Sequence, residues 1–90
     1  MMKHAVIIRV SGRVQGVGFR YYTVEKAREL SVTGYVQNSN DGSVLIEAEA
    51  DNESLTEFVQ WCRKGPAWAR VTDIKISDTL PLGYTSFDIK

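Results

Sequence analysis

Between His4 and Val10 the side chains alternate, with Val6, Ile8 and Val10 on one side and Ala5, Ile7 and Arg9 on the other. That pattern predicts a strand with one fully apolar face and one largely apolar face. A glycine-rich stretch follows. Phe19, Thr23, Ala27 and Leu30 then recur at helical spacing, flanked by Tyr22 and Lys26, and Glu25 to Leu30 is rich in strong helix formers. A helix from Arg20 to Leu30 is expected. Thr33-Gly34 reads as a break and Tyr35 to Asn38 as a second strand. Asn40-Asp41-Gly42 has the residues of a tight hairpin turn, because all three accept positive φ readily. In the third strand, Ser43 to Ala50, the residues Val44, Ile46, Ala48 and Ala50 point inward, while Leu45, Glu47 and Glu49 point outward.

The second helix is the best marked. Asp51 or Asn52 caps it, Glu53 suits its positive end, and Leu55, Phe58, Val59 and Cys62 form one stripe. Arg63 and Lys64 suit the carboxyl end, where Gly65-Pro66 stops the helix. Ala69 to Ile76 reads as a fourth strand whose alternation slips between Val71 and Ile74, the signature of a bulge. Phe87-Asp88-Ile89 adds a short edge strand. The order βαββαβ predicts an α+β, ferredoxin-like sandwich: an antiparallel sheet with two helices on one face. So widely reused a fold does not specify a function.

Composition narrows the field. A chain of 90 residues is long enough for one core, so residues 1–90 are read as one domain. Eleven basic residues balance eleven acidic ones, leaving no overall field to draw the protein to nucleic acid or an acidic membrane. Cys62 is the sole cysteine, which excludes an intrachain disulfide and a multi-cysteine metal site. His4 is the sole histidine, at the exposed start of the first strand. With no signal-peptide pattern and no membrane-length apolar run, a cytoplasmic protein is expected.

The candidate chemistry lies in "GRVQGVGFR", Gly12 to Arg20. A short glycine loop between strand and helix can turn successive N–H groups inward, and the helix start adds unpaired N–H groups and a positive dipole end. Such a cup suits phosphate or carboxylate, and the planar fork of Arg20 suits two oxygens of one anion. The glycine spacing matches neither the P-loop nor the dinucleotide fingerprint. Glycines alone favour a plain tight connection with no ligand, and it is Arg20 and a second polar group that reverse the balance. Asn38, at the end of the second strand, is a second polar group that the fold can bring near the helix start, although turn formation would also account for an asparagine there.

"GRVQGVGFR", followed by Gly34-Tyr35-Val36-Gln37-Asn38 and Asp41-Gly42-Ser43-Val44, resembles the acylphosphatase family. The similarity extends over nearly the whole chain, including Gly65-Pro66 and Ala69-Arg70-Val71. The resemblance implies the ferredoxin-like fold and hydrolysis of acyl phosphates to a carboxylate and inorganic phosphate, without metal or cofactor. It implies that Arg20 and Asn38 are the catalytic residues and that the backbone of Gln15, Gly16, Val17 and Gly18 cradles the phosphate, with Arg13 and Val14 leading in. Phe19 corresponds to the family's apolar anchor, and Ser39 to a position that supports Asn38. Small acyl phosphates and inorganic phosphate are then the expected partners of a monomeric enzyme, and no specific acyl pocket is legible.

Other classes remain to be weighed. A phosphate- or small-ligand-binding module of the same fold would need the anion cup but not Asn38. RNA-recognition domains share the topology, but they stack bases on exposed strand aromatics. Here Leu45, Glu47 and Glu49 occupy the outer positions of the third strand.

Overall fold

Val6, Ile8 and Val10 are buried and form the floor of the core, as their alternation requires. The computed structural model describes residues 2–90. The elements are β1 (His4–Arg13), α1 (Phe19–Glu29), β2 (Thr33–Asn38), β3 (Val44–Ala50), α2 (Asn52–Lys64), β4 (Arg70–Thr79) and β5 (Phe87–Ile89). Phe19, Val24 and Ala27 of α1 and Leu55, Phe58 and Cys62 of α2 join Val6, Ile8, Val10, Val36 and Ile46 in one apolar cluster. Two helices thus pack on one face of the sheet, the α+β arrangement expected. Burial pushes the Cys62 thiol far up, which leaves it an inert core residue.

The strand order is β4-β1-β3-β2-β5. The four long strands pair antiparallel, but β5 pairs in parallel with β2, so the five-stranded sheet is mixed rather than wholly antiparallel. The reason is topological. The chain leaves β4 at the end of the sheet where β1 begins, crosses to the far edge at that same end, and so runs alongside β2 in its direction. Glu49 holds the crossing segment. It was expected to face solvent, yet it is only 2 % exposed. Its carboxylate accepts the backbone N–H groups of Leu82 (2.6 Å), Gly83 (3.1 Å) and Tyr84 (3.2 Å). Neighbouring Glu47 is not a free surface charge either, because the Tyr35 and Tyr84 hydroxyls donate to it at 2.6 and 3.2 Å.

Boundaries differ from expectation in instructive places. β1 runs on to Arg13, past Gly12, and β4 runs on to Thr79. The slip in β4 is real: Ser11 faces Asp73 and Gly12 faces Val71, so Thr72 is the extra residue of a bulge. Thr33-Gly34 belongs to β2 instead of breaking the chain. Gly34 has φ +139°, and a Cβ there would lie 1.9 Å from the Glu47 carbonyl oxygen, so glycine permits the close pairing with β3. Asp51 is the cap of α2, its Oδ1 accepting the Ser54 N–H at 2.9 Å.

Candidate active site

β1 and β2 both pair antiparallel with β3, so they run in the same direction and their carboxyl ends lie at one end of the sheet. The loop 14–18 leaves β1 at that end and Asn38 closes β2 there. Ile74, Val10, Val44 and Asn38 form one cross-sheet row on the face the helices cover. Asn38 itself is exposed.

The loop is pinned at both sides of its glycines. Val14 and Phe19 are each 1 % exposed, and the Phe19 ring packs against Trp61 with centroids 5.7 Å apart. Val17 is half-buried against the core. Gly16 (φ +75°) and Gly18 (φ +80°) both adopt the left-handed conformation that side chains disfavour. Gly18 is also the N-cap of α1 and supplies no side-chain bond, so no side chain of the cap satisfies the first N–H groups of the helix. A cavity of about 190 Å³ opens there, lined by Val14, Gly16, Gly18, Arg20, Tyr21 and Ile89, with Phe19 behind. Of the expected site residues, Gly16, Gly18 and Arg20 line it. Gln15, Val17 and Asn38 do not.

The Gln15 side chain has a task of its own, which was not legible in the sequence. Its side-chain nitrogen Nε2 donates to the Ser39 carbonyl at 2.8 Å and the Ser43 carbonyl at 2.9 Å. Ser39 in turn bonds Gln15, Arg9 and Ser43. Arg9, on the outer face, braces the same turn, donating to Ser43 Oγ at 2.6 Å and lying 3.4 Å from Asp41 Oδ2. Asp41 accepts the Ser43 hydroxyl and N–H, which hold its carboxyl below the usual range, with Arg9 adding a smaller pull. Periodicity carries no trace of Gln15 or Arg9, because their partners are main-chain carbonyls and turn residues distant in sequence. No group of three or more His, Cys, Asp or Glu side chains converges to hold a metal among the described residues.

The arrangement offers main-chain donors, a guanidinium and a carboxamide at one end of the sheet. The comparisons with known proteins agree in pointing to one family. The Acylphosphatase family model matches residues 6–89. The acylphosphatase of Thermotoga petrophila is 51% identical over 86 residues, covering 96% of either chain. The crystal structure of acylphosphatase from Bacillus subtilis superposes with a TM-score of 0.92 at 39% identity and covers 99% of both chains. An acylphosphatase from Coxiella burnetii gives a TM-score of 0.94 at 32% identity, covering 98% of this chain and 93% of that one. The chain belongs to the acylphosphatase family.

Proposed function

We propose that this protein is an acylphosphatase that hydrolyses the carboxyl–phosphate bond of small acyl phosphates, releasing a carboxylate and inorganic phosphate. The backbone of Gln15, Gly16, Val17 and Gly18, with the first N–H groups of α1, receives the phosphoryl oxygens, and Arg20 clasps two of them. Asn38 orients the attacking water. The reading extends to residues 1–90 acting as one domain, in a cytoplasmic monomer. One chain supplies every group the reaction uses, and no described helix is long and apolar enough to cross a membrane.

The chemistry asks little of the protein. An acyl phosphate is a mixed anhydride, and its departing carboxylate is the conjugate base of an acid with a pKa of about 4, so it needs no proton to leave. Phosphoryl transfer is chiefly positioning and charge stabilisation. The water oxygen bonds to phosphorus as the bond from phosphorus to the acyl oxygen breaks. Asparagine is not a base at neutral pH, so the water's proton passes to a phosphoryl oxygen of the substrate. Arg20 and the N–H groups supply the positive charge, and the resemblance to the family implies neither metal nor cofactor.

The observation that carries this reading is the shared end of the sheet. The loop with Gly16, Gly18 and Arg20 is tied through Gln15 to Ser39, the residue after Asn38. Hydrolysis of benzoyl phosphate by the purified protein, with a chelator present, tests it. Activity should persist, and inorganic phosphate should inhibit competitively and raise the melting temperature by occupying the cup. Absence of hydrolysis, with phosphate still stabilising the fold, would favour a phosphate-binding module of the same family.

A further inference from the structure

The cavity at the loop does not end at Arg20. Tyr21 and Ile89 line it too, and both are large apolar residues left well exposed, at 57% and 48%. The same two residues line a second cavity of about 340 Å³, whose other walls are Val24, Glu25, Arg28 and Asp88. The two cavities are thus consecutive compartments sharing an apolar sill. β5 delivers Ile89 to that place because it runs parallel to β2 and points its carboxyl end at the loop.

Resting on the acylphosphatase reading above, we infer that the acyl group of the substrate lies across Tyr21 and Ile89 into this second compartment. Uncharged aryl and alkyl acyl groups are therefore preferred to acyl groups carrying a second anion. A phosphate beside Arg20 leaves Tyr21 and Ile89 as walls of the same cavity, so an acyl group that extends from it along that cavity meets the sill. Burying an aryl ring there removes apolar surface from water on both partners. The compartment beyond holds two carboxylates, Glu25 and Asp88, against one guanidinium. That guanidinium, Arg28, already leans on the Phe87 carbonyl at 3.4 Å. A second anionic group would enter a region of net negative charge.

Three substrates test this: acetyl, benzoyl and 4-carboxybenzoyl phosphate. The double variant Tyr21→Ser, Ile89→Ser should lower the benzoyl-to-acetyl ratio of kcat/KM by roughly tenfold, the size of effect that modest changes in an apolar pocket produce. The loss should lie in the KM for benzoyl phosphate, with the inhibition constant of inorganic phosphate unmoved. In the unmodified protein 4-carboxybenzoyl phosphate should be the poorer aryl substrate, and the Glu25→Gln, Asp88→Lys variant should narrow that gap by about threefold to fivefold, as a screened surface charge allows. If both acyl phosphates are hydrolysed and the ratio does not change in the serine variant, the sill is overturned while the activity stands. If the carboxylate makes no difference and the charge variant changes nothing, the preference against anions is wrong. A protein that hydrolyses none of the three overturns the functional reading, and the acyl site with it.

Discussion

Gln15 Nε2 donates to the Ser39 carbonyl oxygen at 2.8 Å, joining the loop after β1 to the turn after β2 across 24 positions of sequence. A second bond from the same nitrogen, to the Ser43 carbonyl at 2.9 Å, makes the link a clasp across the mouth of the hairpin. One carboxamide thus ties the loop to the turn that follows Asn38.

Gln15→Ala should therefore affect both rate and stability. Losing two hydrogen bonds at roughly 1 kcal/mol each lowers the melting temperature by about 8–16 °C in a domain this small. Turnover should fall by on the order of tenfold, since a small misplacement of positioned groups is costly to catalysis. Gln15→Glu should be worse than alanine, because a carboxylate would face the same two carbonyl oxygens. Thermal unfolding and kcat of both variants check this, and a glutamate variant as active as the parent would remove the clasp from the account.

Glu49 offers the opposite separation, stability without activity. It faces Ala5 and Thr33 in the register, away from the Val44–Asn38 end where the loop lies. Its substitution by alanine releases three N–H groups of the 82–84 segment. Leu82 is exposed, so water can replace part of what is lost. A destabilisation of about 1–3 kcal/mol is expected, within the range of hydrogen bonds to a charged acceptor. At temperatures where the variant stays folded, kcat should match the parent. A melting temperature unchanged in Glu49→Ala would mean that the strap contributes nothing.

Alkaline pH should act through Tyr35. Burial, with the hydrogen bond to Glu47 adding to it, raises the phenol from 10.0 to about 12. Its share of stability is complete below pH 10.0, where folded and unfolded chains both hold the proton. Between pH 10.0 and about 12 the unfolded chain releases that proton first, so stability falls as pH rises. Tyr35→Phe removes this titration and should flatten the decline over the same window. Denaturant midpoints across it decide the matter, and equal slopes in parent and variant would exclude Tyr35 as the source.

What could be read in the sequence follows from how local each cause is. The stripe Leu55, Phe58, Cys62 and the cap at Asp51 lie within α2, and the bulge near Thr72 is written as a slip of alternation. In the turn Asn40-Asp41-Gly42 the sequence offered three residues that accept positive φ, and only Gly42 takes it, at +91°. Gly34 misled because a glycine that admits a neighbouring strand's carbonyl looks, in sequence, like one that breaks a strand. Glu49 misled because alternation assigns a face but not what covers that face, and its cover comes from residues more than 30 positions away. At the site, Gly16, Gly18 and Arg20 were legible as a loop entering a helix. The clasp by Gln15 and the arrival of Ile89 depend on strand order, which no local pattern carries.

Arg20 should prove indispensable as a guanidinium and not merely as a positive charge. It is exposed at the second position of α1, beside the cavity that Gly16 and Gly18 line. Arg20→Lys keeps the charge but loses the planar fork that meets two oxygens together. A fall in kcat/KM on the order of a hundredfold is expected, the usual scale for a preorganised donor at a phosphoryl or acyl centre. Affinity for inorganic phosphate should fall with it. Thermal stability should hold, since the side chain buries little. A lysine variant with near-parental kcat/KM would reduce the role of Arg20 to general electrostatics.

Asn38 separates binding from turnover, and with it the hydrolase from the binding module. It lies outside the cavity lining, on the helix-side row at the end of β2, and the role proposed for it there is to orient the attacking water. In that role its carboxamide fixes the water's lone pair in line and takes no weight of the phosphate. Asn38→Ala should then lower kcat on the order of a hundredfold, as loss of one preorganised polar group commonly does. The inhibition constant of phosphate should stay near the parent value, and the melting temperature should barely move, because the side chain is exposed and makes no hydrogen bond among the described residues. Asn38→Asp adds a sharper reading: a carboxylate can also accept a proton from water, but it repels the phosphoryl oxygens, so affinity for phosphate should fall as well. If phosphate affinity drops in Asn38→Ala as far as turnover does, the asparagine is a phosphate ligand and the water is positioned by another group. If turnover is unchanged, Asn38 is a turn residue alone and the chemistry rests on the loop and Arg20.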